Sequence, residues 1–142
     1  PFVIIGPGVS KNSYSDVPVT GLDILPTLAR LAGYQGLLPN ILDGGNIQTV
    51  IHNNGKGKVK RNSPYLIFHQ AANRKPISAI RFGDYKLVKD WRYNKLELFD
   101  LSRDLEEKVD LSKKMPDIVK KLDEALIKFL NEADAETKQI KT

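Results

Sequence analysis

S-A-I-R-F-G-D-Y-K-L-V, residues 78–88, decides the fold of the second half of this chain. Two short runs of alternating apolar and polar residues flank Gly83-Asp84, and a two-residue turn of that composition between such runs reads as a β-hairpin. Closing the turn pairs Phe82 with Tyr85, Arg81 with Lys86, Ile80 with Leu87 and Ala79 with Val88. The first and third of these pairs then face a core, and Arg81 stands opposite Lys86 on the other side. Two cations placed face to face cost about 0.2–1 kcal/mol unless an anion lies near them. If Leu96 in a further strand pairs with Lys89, Glu97 falls across from Val88, one diagonal step from Lys86. Glu97 is then the expected neutraliser, with a bound anionic ligand as the alternative.

Working outward, Tyr65 to Phe68, Ile77 to Phe82, Tyr85 to Lys89 and Leu96 to Phe99 read as four short strands whose spacing suits an antiparallel meander. A helix follows from Pro116, a favoured first helical position. It places Met115, Ile118, Val119, Leu122, Ala125, Leu126, Phe129 and Leu130 along one face and Lys, Asp and Glu along the other. Packing across one face of the sheet is its expected use, and lying on a membrane or a partner is the alternative.

The first half has a different character. Phe2-Val-Ile-Ile5 suits a strand buried on both faces, as in a parallel sheet. Gly6-Pro-Gly8 breaks it, and a helix follows with Asp23 as its expected N-cap and Pro26 in the first turn, where the missing N–H does no harm. Gly33 closes that helix. Between Ile24 and Ala32 only Thr27 and Arg30 are polar, so the helix needs cover on most sides, more than a chain of this length readily supplies. Residues 35–61 are rich in Gly and Asn and read as loop, one brief helical turn near Ile47 to Ile51, and linker. The expected fold class is α/β, with an α+β second half, divided as residues 1–61 (strand, helix, linker) and 62–142 (four-stranded antiparallel sheet and C-terminal helix).

The 142 residues are 41% hydrophobic, enough for an ordinary domain with a core. The absence of cysteine excludes disulfides, thiolate metal sites and a cysteine nucleophile within these residues. The net charge of +5 contains one basic cluster, Lys56-Gly-Lys-Val-Lys-Arg61. It has no interleaved aromatics on which bases could stack, so it reads as a solvated loop, and nucleic acid is not an expected partner. No apolar run reaches the ~18 residues of a membrane span. The start at Pro1, without methionine or a basic leader, reads as a cut end.

Only His52 and His69 can exchange protons near neutral pH without a shifted pKa. His52 lies in a Gly/Asn-rich loop. His69 ends a strand and leads into Gln70-Ala-Ala-Asn-Arg74, a polar loop of the kind by which a rigid sheet presents side chains to a ligand. Asp104, Glu106, Glu107 and Asp110 lack the D-x-D-x-D-G pattern of a calcium loop and read as caps of turns and of the following helix. No phosphate-binding glycine loop, paired-carboxylate spacing or nucleophile elbow is present.

Ser15-Asp-Val-Pro-Val-Thr-Gly-Leu-Asp-Ile-Leu-Pro-Thr-Leu-Ala-Arg-Leu-Ala-Gly33, then Asp43-Gly44, then Ser78 to Val88, then Glu97-Leu-Phe-Asp-Leu-Ser-Arg-Asp104 together resemble the C-terminal portion of the type I sulfatases, relatives of the alkaline phosphatases. The resemblance covers nearly the whole chain, with Leu105 and Asp110 standing where the family pattern usually has Pro and Asn. It implies the end of a catalytic α/β domain followed by a small C-terminal subdomain. The parent would be a sulfuric ester hydrolase acting on a sulfated glycan or aryl sulfate. Its formylglycine and calcium ion would lie in an N-terminal domain, since the family's C/S-x-P/A-x-R nucleophile motif occurs nowhere here. The chain alone would be inactive, and its partners would be that N-terminal domain and a sulfated substrate. His69, in a loop that resembles the family's F-H-x-P region, is implied as a substrate contact together with Gln70 and Arg74, with Ala71 in place of the usual Pro. Periplasmic, extracellular and lysosomal locations all fit the resemblance. The alternative is a free-standing module that binds an anionic polymer.

Overall fold

The hairpin forms in the expected register. A computed structural model describes residues 2–71 and 75–137. In it, strands Leu66–Gln70 (β1), Ile77–Phe82 (β2), Tyr85–Asp90 (β3) and Lys95–Asp100 (β4) form one antiparallel sheet in chain order. Phe82 pairs with Tyr85, Arg81 with Lys86, Ile80 with Leu87, Leu96 with Lys89 and Glu97 with Val88. Gly83 takes a positive φ of 59°, the left-handed conformation that suits glycine at such a turn.

Helix Pro116–Glu132 (α3) crosses one face of this sheet. Successive side chains of a strand point to opposite faces, and every fourth residue of a helix returns to the same side. Ile80, Leu87 and Leu98 therefore meet Leu122, Leu126 and Leu130, and all six are essentially removed from solvent. Phe82, expected in the core, sits instead at its rim, exposed between the Tyr65 ring at 5.4 Å and the Lys121 ammonium at 5.0 Å. The loop after β4 ties off that strand's outer edge, where unpaired backbone groups would otherwise be exposed. The Leu98 N–H donates to the Asp110 carboxylate at 3.0 Å, and the Leu111 N–H donates to the Leu98 carbonyl at 2.7 Å. The acidic residues do cap turns: Asp104 accepts from the Val109 N–H, and Asp110 accepts from the Ser112 N–H. They do not cap α3, whose N-cap residue is Met115.

The chain divides into two units, one up to Ser63 and one from Pro64 onward. In the first, a 3-10 turn Gly21–Asp23 runs into helix Ile24–Leu31 (α1), and a short helix Gln48–His52 (α2) follows. The strand expected at Phe2 to Ile5 does not form, and Val3 and Ile5 are exposed. A strand exists only as one rung of a ladder, and no described residue pairs with this segment.

Asp23 is not the simple N-cap that the sequence suggests. Its carboxylate is fully buried, accepting from Arg61 Nε at 2.8 Å and Nη2 at 2.6 Å, from the Gly45 N–H at 2.7 Å and from the Thr20 N–H at 2.8 Å. Arg61 is thereby removed from the solvated basic loop to which composition assigns it. One helical turn on, the buried Thr27 hydroxyl donates to the Asp23 carbonyl and accepts from the Ile47 N–H, linking α1 to the start of α2. Gly44 belongs to the same construction, because a Cβ there would collide with the Leu22 carbonyl. The outcome is a turn and helix that bury Asp23, Pro26 and Thr27 and leave Leu22, Ile24, Leu25, Leu28 and Leu31 exposed.

Candidate functional site

His69 lies at the end of β1 on the face that α3 covers. The register sets it directly across from Ser78, which in turn lies across from Lys89 on β3. Ser78 occupies the core-facing phase of β2, one alternation from Ile80, and is 1% exposed. A hydroxyl there must find partners inside the protein. It finds two: Trp91 Nε1 donates to Ser78 Oγ at 2.7 Å, and His69 Nδ1 lies 2.8 Å from the same oxygen. The other imidazole nitrogen, Nε2, lies 3.0 Å from the carbonyl oxygen of Glu136, just beyond α3.

Trp91 is itself braced. Its backbone N–H donates to the Pro76 carbonyl at 3.2 Å, and the Lys89 ammonium sits 4.7 Å from its ring centroid. Lys89 is buried and reaches Asp123 of α3 at 2.7 and 3.0 Å. A continuous polar chain thus runs Asp123, Lys89, Trp91, Ser78, His69, Glu136. Sequence reasoning singled out His69 and missed Ser78, Trp91 and Lys89. The available signal was alternation, which puts Ser78 and Lys89 in phase with Ile80 and Leu87 and so marks polar groups on a core face.

Gln70 pairs with Ile77 and is exposed. As the next residue along the strand it points to the face opposite His69, so the sheet does not bring these two side chains together. Arg74 lies outside the described residues. His52, given little weight in sequence, is exposed, with Nδ1 3.1 Å from the Gly8 carbonyl oxygen.

The cation pair of the hairpin is balanced, but not by Glu97. Lys86 donates to Glu107 at 2.6 Å, Arg81 Nε turns back to the Gly83 carbonyl at 2.9 Å, and Glu97 accepts from Lys95 at 2.8 Å. Glu107 reaches Lys86 from the loop after β4, where its own φ is 55°. A sequence-distant loop residue thus took the role that strand register assigns to Glu97.

Of the carboxylates that cluster in the sequence, Asp104 and Asp110 serve the backbone, whereas Glu106 and Glu107 pair with Lys108 and Lys86. Amide donors, first of all that of Val109, hold Asp104 below the usual carboxylate range. At Asp110 burial acts upward, but the Ser112 and Leu98 amides outweigh it. Among the described residues no three His, Asp or Glu side chains come together to hold a metal ion.

The model of the family described as N-sulphoglucosamine sulphohydrolase, C-terminal, matches residues 1–132. Arylsulfatase K of Mus musculus is 28% identical over 138 residues, covering 92% of this chain and 25% of that protein. Choline-sulfatase of Rhizobium meliloti is 35% identical over 119 residues, covering 79% and 21%. The chain thus spans about a quarter of the length of the curated relatives it matches. A solved 2-O GAG sulfatase superposes with a TM-score of 0.64 at 25% identity, over 84% of this chain and 26% of its own. The fold also recurs, with a TM-score of 0.68 at 20% identity, in an enzyme solved with its substrate D-glucosamine-2-N,6-O-disulfate, over 94% of this chain and 28% of that one. Both halves of the chain fall within one family match, and the chain belongs to the N-sulphoglucosamine sulphohydrolase C-terminal family of sulfatases.

Proposed function

We propose that this chain is the C-terminal portion of a sulfuric ester hydrolase and that it supplies substrate contacts, not the reacting groups. The observation that carries the reading is the family match across residues 1–132, which takes in both structural units. The substrate class is a sulfate ester, of a glycan or an aryl alcohol, in keeping with relatives named arylsulfatase and choline-sulfatase. The formylglycine nucleophile and the calcium ion that holds the sulfate come from an N-terminal catalytic portion of the same protein. That portion also covers the apolar face of α1.

Within this division of labour His69, Gln70 and Arg74 are the substrate contacts. His69 offers an imidazole near the end of a rigid strand, Gln70 ends that strand on its other face, and Arg74 follows in the sequence. A guanidinium at Arg74 suits a sulfate or carboxylate of the substrate, because two parallel N–H donors match two oxygens.

The test is hydrolysis of a chromogenic aryl sulfate by two proteins, the 142-residue chain and a longer protein that joins it to a catalytic portion carrying the C/S-x-P/A-x-R motif. Turnover is expected only from the longer protein. Hydrolysis by the chain alone overturns the division of labour, and an inactive longer protein with formylglycine installed overturns the sulfatase reading.

A further inference from the structure

The two ends of the polar chain at His69 fix the direction of every proton between them. An indole N–H only donates, and a backbone carbonyl only accepts. Ser78 Oγ must therefore accept from Trp91. His69 Nε2 must carry a proton to bond the Glu136 carbonyl, which leaves Nδ1 of the neutral ring as an acceptor for the Ser78 hydroxyl proton. The opposite tautomer would set an Nε2 lone pair against the Glu136 carbonyl oxygen and lose that hydrogen bond. Ser78 Oγ could still accept from both Trp91 and Nδ1–H, but its own hydroxyl proton would then lack the His69 acceptor at a residue that is 1% exposed.

We propose that Ser78 and Trp91 are positioning residues that hold His69 as the Nε2–H tautomer, so that the imidazole presents a proton, not a lone pair, to an oxygen acceptor at the end of β1. Glu136 of the segment after α3 supplies that acceptor in this structure. A sulfate or sugar hydroxyl oxygen offers the same chemistry. The step from carbonyl to ligand rests on the reading of His69 as a substrate contact given above, whereas the relay itself does not. Lys89 and Asp123 keep the indole in place from the side of α3, which makes the relay part of the folded core and not a mobile surface contact.

The test is nitrogen-15 NMR of the labelled 142-residue chain at about pH 8, where a histidine of ordinary pKa is neutral. The chain has only two histidines, so assignment is direct. His69 is expected with a protonated Nε2 and a pyridine-type Nδ1. His52, whose Nδ1 faces the Gly8 carbonyl, serves as an internal contrast with the opposite preference. Ser78→Ala is expected to raise the Nδ1–H fraction of His69 about 2–10-fold, the equivalent of one ordinary hydrogen bond. Ser78→Thr, which keeps the hydroxyl, restores the wild-type ratio. Trp91→Phe moves the ratio in the same direction by less, and serves if the buried serine variants fail to fold.

An Nδ1–H tautomer in the wild-type chain overturns the relay, and so do folded variants that leave the ratio unmoved. Titration of the longer protein, its 142-residue part segmentally labelled, with glucosamine 6-sulfate separates the two claims. A shift of the His69 Nε2 resonance supports the ligand step. An intact relay with unmoved His69 resonances overturns the substrate reading alone.

Discussion

Asp23 is a carboxylate with no contact to water, and it stays ionised because four donors converge on it. Burial pushes its pKa up, but Arg61 and the Gly45 and Thr20 amides pull harder, and the group ends below its ordinary value of 3.8. A carboxylate depressed by folding adds stability that is fully present above its unfolded pKa and is lost as pH falls through the folded value. Acidification below about pH 4 should therefore loosen the first unit. Amide exchange at Gly45 and Ile47 reads this out separately from the second unit, whose Asp100, Asp104 and Asp110 are also depressed. Asp23→Ala strands the Arg61 guanidinium and is expected to cost the first unit about 3–5 kcal/mol, while Asp23→Ala with Arg61→Met recovers much of it, as chemical denaturation followed on those amides would show. A single variant with wild-type exchange at pH 7 would refute this account of the clamp. The sequence marked Asp23 as special through its place before a helix. It could not reveal the clamp, because the partner lies in a basic run 38 residues away that resembles any solvated loop.

The helices α1 and α3 are both amphipathic, and they sit in opposite senses. In α3 the leucines at four-residue intervals face the sheet, so Leu126→Ala opens a cavity in the core and is expected to cost about 2–5 kcal/mol in urea denaturation. In α1 Pro26 and Thr27 face inward, Leu25 is 59% exposed, and Leu25→Ala is expected to stay within about 0.5 kcal/mol. Equal losses from the two substitutions would contradict these placements. The sheet and α3 were legible because local rules agree there: turn chemistry, alternation and helical spacing each demand the same register, and residues 78–98 pair as the sequence predicts. Where a long-range partner decided the outcome, legibility failed. Glu107 displaced Glu97 beside Lys86 because the loop after β4 folds back over the sheet, and periodicity carries no information about such a path.

For the molecule as a whole, the first unit is arranged around polar contacts and buries few apolar side chains, Ile47 and Val50 among them, while many others face solvent. Leu22, Ile24, Leu25, Leu28 and Leu31 are joined in this by Phe2, Val3 and Ile5, in a segment whose composition is that of a buried strand. Scattered surface leucines need no explanation, but a contiguous apolar stripe on one helix marks a surface that another body covers. The expectation that α1 needs more cover than this chain supplies agrees with its exposure here, and the proposed N-terminal catalytic portion would provide it. Without that portion the stripe should be sticky. Sedimentation velocity of the 142-residue chain is expected to show association that grows with concentration, and Leu25→Gln with Leu28→Gln should return it toward monomer without changing the amide spectrum of the second unit. Joining the catalytic portion should have the same effect by covering the stripe, and should slow exchange of the α1 amides, which the glutamine variant should not. A chain that stays monomeric at high concentration with its α1 amides intact would show that the stripe needs no partner, and would remove the main physical support for a cover supplied from outside these residues.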